Sequence, residues 1–304
     1  MFRTPITQHE VEDAIQHLKL SKAGGWDEIT SEHFIYGGTL CSQVCMHLFN
    51  ALIENQYVPK HFRKGVKVPI FKGGRKDMNE CDSYRGITLM PVFSKLYENV
   101  LLLRSRSWFE NCVNKCQGVA QSKCSSLHTS LLLRETITHL VEGGSKAYVA
   151  LLDAKQAFDC VWIDGLFAQL YEKGIDFTLW KILRAYYKDV ECCVRVGGSV
   201  SDWFNVQQGV HQGGVLSAKL YQVFIDSLFD VLYANGVKCM VYGIDCQVMA
   251  YADDVTLVSL SPYGLQTNLN LVYEHSKKWR YCHNAHKSQV LIFGGKTKKV
   301  NVLL

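Results

Sequence analysis

The chain has 304 residues, 48% of them hydrophobic and 20% charged, with a formal net charge of +5. That balance suits one large or two ordinary globular domains with a real core, and it argues against a disordered chain. No apolar run approaches the roughly 20 residues of a membrane-spanning helix, and no secretory signal follows Met1, so an intracellular protein without a membrane partner is expected.

Thr7-Gln-His-Glu10 forms a capping-box pattern, and Val11, Ile15 and Leu18 continue at helical spacing, up to a break near Ser21-Lys-Ala-Gly-Gly25. Cys41, Val44, Cys45, Leu48, Phe49, Leu52 and Ile53 trace one apolar helix face. Pro59 closes this helical N-terminal extension, residues 1–59, which carries no evident chemistry. The twelve cysteines fall in helical or strand patterns and read as reduced thiols rather than a disulfide scaffold. Cys112 with Cys116, and Cys282 with His283 and His286, are zinc-ligand alternatives, but neither completes a four-ligand spacing.

Lys60 to Lys76 holds seven Lys or Arg residues and no acid, and the segment from His275 to the end holds seven more, again without an acid. The remainder has 19 basic residues against 28 acidic ones, a net of −9. Positive charge gathered into two blocks points to a polyanion, with a pair of solvated loops as the alternative. Within the first block, Gly65-Val-Lys-Val-Pro-Ile-Phe71 reads as a strand and Lys60 to Lys67 as largely solvated charges. Lys72 and Arg85 sit beside glycine-containing turns, where backbone donors and cationic side chains can approach phosphate together.

Helices are predicted over about 92–108 and from Ser125 or Ser126, the latter burying Leu131, Leu132, Ile137, Leu140 and Val141. Glu142-Gly-Gly-Ser145 is a breaker and a candidate subdomain boundary. Ala147-Tyr-Val-Ala-Leu-Leu152 is a near-continuous apolar run suited to a buried strand, and it ends on Asp153. Asp153 reads either as a site acid at the strand mouth or as a helix cap.

Two further helices, the second capped by Asp176, lead to a hairpin around Gly197-Gly198. Gln208-Gly-Val-His-Gln-Gly-Gly-Val-Leu-Ser217 is a glycine-rich loop entering a helix that runs to about Asn235. Gly209, Gly213 and Gly214 permit close approach to a flat or charged ligand, and Gln212 offers an amide. Gln247 to Ser259 reads as a β-hairpin whose turn carries Asp253 and Asp254, either a solvated turn or half of a cation site. A helix over about 262–281 and a strand over 288–293 precede the basic tail.

The order of these segments resembles reverse transcriptases, most closely those of LINE-type non-LTR retrotransposons. The motifs that carry the resemblance are Tyr84-Arg-Gly-Ile-Thr-Leu-Met-Pro91, Leu152-Asp-Ala-Lys-Gln-Ala-Phe-Asp159, the glycine loop over 208–217, Tyr251-Ala-Asp-Asp254 and Asn284-Ala-His-Lys-Ser288. Lys22-Ala-Gly-Gly-Trp-Asp27 resembles the family segment K-x-P-G-x-D, with Gly for Pro. Departures are Ser217-Ala218 where the family has Ser-Pro, Lys155-Gln156 where it has Ser-Lys, and His211 before Gln212.

The resemblance implies an α+β right-hand polymerase: fingers over 60–145, and an antiparallel palm sheet packed on helices over 146–304. It implies RNA-directed DNA synthesis, extending a DNA primer with dNTPs on an RNA template. Asp153 and Asp253 lie one hundred residues apart in sequence, yet the family fold places them on adjacent strands. By the same analogy Asp153 and Asp253 hold two Mg²⁺ ions about 4 Å apart, with the Ala154 carbonyl and Asp254 assisting and Mn²⁺ as a substitute. Phe158 takes the position that excludes a ribose 2′-hydroxyl, and Lys72 and Arg85 hold the triphosphate. Gln212 and Gly213 pack beside the nascent pair, and Lys287 protonates or stabilises the leaving pyrophosphate. The family's thumb would lie beyond the eleven residues that follow Phe293, so a thumbless fragment is expected. The alternative function is an inactive element copy that retains only nucleic-acid binding.

Overall fold

The structure, a computed structural model, describes residues 2, 4–74, 76–121 and 123–295. In chain order it comprises α1 (Gln8–Gln16), α2 (Ser31–Ile35), α3 (Gly38–Glu54), β1 (Lys64–Phe71), β2 (Tyr84–Leu89), α4 (Val92–Asn111), α5 (Ser126–Glu142) and β3 (Ala147–Leu152). There follow α6 (Ile163–Glu172), α7 (Phe177–Tyr186), β4 (Val190–Val196), β5 (Ser199–Val200), β6 (Phe204–Val206) and α8 (Ser217–Asn235). The last elements are β7 (Met240–Val241), β8 (Ile244–Asp245), β9 (Val248–Tyr251), β10 (Asp254–Ser259), α9 (Pro262–Trp279) and β11 (Gln289–Phe293). The chain forms two compact units, Met1–Trp108 with Leu170–Ala218, and Phe109–Gln169 with Lys219–Leu304.

The first unit is built on a sheet of order β2-β1-β4-β5, with β6 also on β4. β1 pairs antiparallel with β2 over Val66–Phe71 and parallel with β4 over Lys64–Lys67. Pro69 therefore sits where β1 is paired on one side only, and its missing N–H costs no bond to β4. An aromatic cluster fills the core: the Phe49 ring lies 5.0 Å from Tyr97 and 5.4 Å from Phe93, which also meets Phe62. The N-terminal helices pack within this unit. Arg104 on α4 donates to both carboxylate oxygens of Glu10 and to the Thr4 and Pro5 carbonyls, and its hydrogen bonds pull the Glu10 carboxyl down to about 2.

Several sequence expectations need correction here. α1 stops at Gln16, so Leu18 lies beyond it. α3 buries Cys45, Phe49, Leu52 and Ile53, while Val44 is 58% exposed and Leu48 lies at the margin, because the apolar stripe is wider than the surface it packs on. Part of the basic stretch is less solvated than expected: the Lys64 side chain is 21% exposed, whereas Lys60 stays solvated. Lys60 and Lys64 both pair with Glu191 on β4, and Lys64 lies 4.5 Å over the Trp203 ring.

The second unit holds a fully antiparallel sheet of order β11-β3-β10-β9. Alternation along β3 divides its contacts. Ala147, Val149 and Leu151 join a core cluster with Leu133, Ile137 and Leu140 of α5, Met249 of β9 and Val258 of β10. Leu152, of the opposite parity, looks toward Leu269 and Val272 of α9 across a cavity of about 690 Å³. The expected apolar face of α5 is only partly used, since Leu131 and Leu132 are 46% and 47% exposed. The basic tail after Gly295 lies outside the described residues.

Candidate active site

β3 delivers Asp153 and the β9–β10 hairpin delivers Asp253 and Asp254. Val255 pairs with Leu152, so the next residue outward on each strand, Asp254 and Asp153, leaves the same end of the sheet. The hairpin turns on two residues, Ala252 and Asp253, with Tyr251 paired to Asp254. Ala252 takes φ 57°, the left-handed region that a β-carbon disfavours.

Both aspartate-bearing segments are held by their main chains. The Asp153 N–H donates to Ser288 Oγ (3.2 Å), and the Asp153 carbonyl accepts from the Asn284 N–H (2.7 Å). Ala154 forms an isolated bridge with His283, and the Lys155 N–H donates to the Cys282 carbonyl (2.8 Å). The turn after α9 thus grips the residues that follow β3, and it places Lys287 Nζ 3.4 Å from Asp153 Oδ2. Burial, followed by the charges of Asp253 and Asp153, pushes the Asp254 carboxyl above its ordinary range.

Phe158 stacks on Tyr221 of α8 at 5.2 Å and 25°. Tyr221 itself is buried, and burial, then the charges of Asp253 and Asp254, raises its phenol well beyond its usual range and keeps it neutral. No sequence motif singled out Tyr221. Gln117 was equally silent: fully buried, it bonds the peptide of Ala252 on both sides.

The other predicted residues, Lys72, Arg85, Gln212 and Gly213, lie in the first unit. Arg85 stands opposite Ile70, two residues before Lys72, so the two cations share a face of the β1–β2 hairpin. Lys72 Nζ donates to the Asp82 carbonyl at 2.7 Å. The Thr88 N–H donates to the Gln212 carbonyl (2.8 Å), which ties the glycine loop to the strand that carries Arg85. Gly213 takes φ +133°, and a β-carbon there would lie 2.4 Å from the Thr88 carbonyl, so no other residue fits. The loop's exit is fixed by Glu98, a buried carboxylate on α4 that accepts from the N–H groups of Val215 and Leu216 (3.0 Å for Leu216). His211 is buried against Tyr187, and burial, then Lys67, lowers it to about 4, so it is a neutral spacer.

Residues 70–303 match the family described as reverse transcriptase (RNA-dependent DNA polymerase). The chain belongs to the reverse transcriptase family. It is 28% identical over 304 residues to an RNA-directed DNA polymerase from the mobile element jockey of Drosophila melanogaster, covering 96% of this chain and 32% of that protein. A probable RNA-directed DNA polymerase from the transposon X-element of the same organism is 27% identical, with 95% and 32% covered. A Pol polyprotein from the type-1 retrotransposable element R2 of Nasonia vitripennis is 26% identical over 51% of this chain and 15% of its own length. The non-LTR affinity expected from motif order therefore holds. The chain spans about a third of the length of the jockey and X-element relatives.

A solved apo telomerase from Candida tropicalis, truncated from its C-terminal domain, shares the fold at TM-score 0.53 and 13% identity, over 95% of this chain and 69% of that one. The α+β architecture is that of a polymerase's fingers and palm.

Reverse transcriptases generally use divalent metal ions. The donor set here fits such a group in chemistry: three carboxylates and the carbonyl of Ala154, all hard oxygens, with the Asp254 carboxyl raised first by burial and then by its neighbours' charge. Among the described residues, no three His, Cys, Asp or Glu side chains close around a common point. None of the described helices is long and apolar enough to cross a membrane.

Proposed function

We propose that this reverse transcriptase chain performs RNA-directed DNA synthesis, extending a DNA primer with dNTPs on an RNA template. The observation that carries this reading is the emergence of Asp153 and Asp254 from one end of neighbouring strands, with Asp253 in the adjoining turn. Asp153, Asp253 and Asp254, with the Ala154 carbonyl, would hold two Mg²⁺ ions, Mn²⁺ being a substitute. When bound, such ions supply Lewis acidity for the primer 3′-hydroxyl and offset the charge of the triphosphate.

The remaining roles belong to the chain's own side chains. Lys72 and Arg85, exposed on one hairpin face, take triphosphate oxygens. Phe158, backed by Tyr221, closes the space a ribose 2′-hydroxyl would need. Gln212 packs beside the nascent base pair, with Gly213 next to it allowing the loop its close approach to the Thr88 carbonyl. Lys287 carries a proton or a positive charge to the departing pyrophosphate as the 3′-oxygen attacks the α-phosphorus. Functionally, residues 60–145 are the fingers and 146–304 the palm, after a helical extension over 1–59.

Primer extension on primed RNA with dNTPs and Mg²⁺ tests this, with Asp153→Ala as the blank. Extension by the parent and none by Asp153→Ala supports it. Salt-sensitive RNA binding without extension would instead assign the chain a binding role only.

A further inference from the structure

We infer that Gln117 is a positioning residue for the candidate catalytic aspartates, clamping the hairpin tip that carries Asp253 and Asp254 through a two-sided hydrogen bond to Ala252. The kinetic half of this inference rests on the polymerase reading above, while the structural half stands on the geometry alone.

Ala252 is the first turn residue of the hairpin and lies outside the β9–β10 ladder, so that ladder satisfies neither its N–H nor its carbonyl. Gln117 satisfies both: its Nε2 donates to the Ala252 carbonyl (3.0 Å), and its Oε1 accepts from the Ala252 N–H (2.8 Å). A carboxamide is suited to this because it presents a donor and an acceptor side by side. The side chain is fully buried and reaches 135 residues along the sequence to make the contact. It also holds Ala252 in its left-handed conformation (φ 57°).

The clamp has a fixed base. The Ala250 N–H donates to the Cys116 carbonyl (2.9 Å), and Gln117 makes a parallel bridge with Ala250, so the segment lies alongside β9. Asn114, three residues earlier, is pinned to α8: its N–H donates to Asp226 Oδ1 (2.7 Å), and its Nδ2 to Asp226 Oδ2 (3.1 Å) and Asp230 Oδ1 (2.9 Å). Gly118 lets the segment approach α5, since a β-carbon there would lie 2.5 Å from Thr129 Oγ1. A side chain needed only to fill space would not require both ends of its amide to be matched. Here both ends meet the one residue that joins Tyr251 to Asp253.

Three variants of the full chain test the inference: Gln117→Leu, which removes both bonds at similar volume, Gln117→Asn, which is too short to reach, and Gln117→Glu. The readouts are amide hydrogen exchange over 248–256, single-nucleotide extension kinetics and thermal melting. In Gln117→Leu and Gln117→Asn, exchange at the hairpin tip should accelerate by at least about tenfold, with the rest of the sheet unchanged. In the same variants kcat should fall roughly 10²-fold, because a small displacement of reacting groups is costly, while the dNTP KM stays within about twofold.

A protonated glutamate reproduces the amide's donor and acceptor, whereas an ionised one sets a charge against the Ala252 carbonyl. Gln117→Glu should therefore lose ground to the parent as pH rises from about 6 to about 9. Unchanged exchange at the tip in Gln117→Leu would overturn the clamp. Faster exchange with kcat unchanged would overturn its positioning role, as would a Gln117→Glu to parent ratio that climbs with pH. If Gln117→Leu does not fold, Gln117→Asn and Gln117→Glu decide the matter by the same criteria. A parent that extends no primer would remove the polymerase reading, and the exchange comparison would still decide the clamp.

Discussion

Lys287 Nζ lies 3.4 Å from Asp153 Oδ2, so the turn after α9 sets a cation against the acid at the end of β3. The lysine side chain is more than half exposed, and such pairs contribute at most about 1 kcal/mol to stability. Its value would lie in chemistry. Lys287→Ala is expected to leave the melting temperature nearly unchanged while the single-turnover extension rate drops by about 10–10²-fold, and Lys287→Arg should recover part of it. Melting curves beside rapid-quench extension check this. A fall in stability without a fall in rate would mark Lys287 as structural.

Asp254 leads to a prediction about pH. Its carboxyl is raised above the ordinary aspartate value of 3.8, first by burial and then by Asp253 and Asp153. A raised carboxyl binds its proton more tightly in the folded state, so stability falls as pH climbs from 3.8 through the folded value, and the deficit persists above it. Asp254→Asn should therefore raise the melting temperature at neutral pH and lose that advantage in acid. Added Mg²⁺ should raise the parent's melting temperature more than that of Asp254→Asn. Scanning calorimetry across pH, with and without Mg²⁺, tests both statements.

For Phe158 the readout is selectivity. Removing the ring opens space for a 2′-hydroxyl, and Phe158→Ala should lower the preference for dNTPs over rNTPs by at least about tenfold in kcat/KM. Tyr221 loses its stacking partner in the same variant, so dNTP use should also weaken. Unaltered discrimination would remove Phe158 from its proposed role.

The glycine loop predicts strain. Gly213→Ala would push a β-carbon to 2.4 Å from the Thr88 carbonyl at a φ of +133°, and a cost of about 1–3 kcal/mol or more in unfolding free energy is expected. Glu98→Ala would strand the buried Leu216 N–H and the part-buried Val215 N–H and should cost about 2–4 kcal/mol, Glu98→Gln less. Denaturant titrations measure both.

What the sequence revealed depended on the range of the interaction. Asp153 at the end of an apolar run, the Tyr251-Ala-Asp-Asp254 hairpin and the Asp176 cap were all legible, because each is written in adjacent residues with a known period or turn. The wider apolar stripes of α3 and α5 misled, since periodicity shows which face is greasy but not how far a neighbour covers it. Gln117, Glu98 and Tyr221 were invisible for another reason. Each acts on a segment far away in sequence, and a lone buried Gln, Glu or Tyr carries no local pattern to announce it. Lys64 was misjudged in the same way, its partner Glu191 being supplied by a distant strand.

The two compact units alternate along the chain, changing after Trp108, after Gln169 and after Ala218. During synthesis on a ribosome, β1 emerges early but its parallel partner β4 follows only after the whole of the second unit's first stretch has been made. The first unit cannot finish folding until the glycine loop has left the exit tunnel, a delay that non-local pairing imposes on any such topology. No single cut can release either unit intact. Expressing one alone would require its two stretches to be joined by a linker or co-expressed as two pieces, and a chaperone meeting the half-made chain would find the open edge of β1.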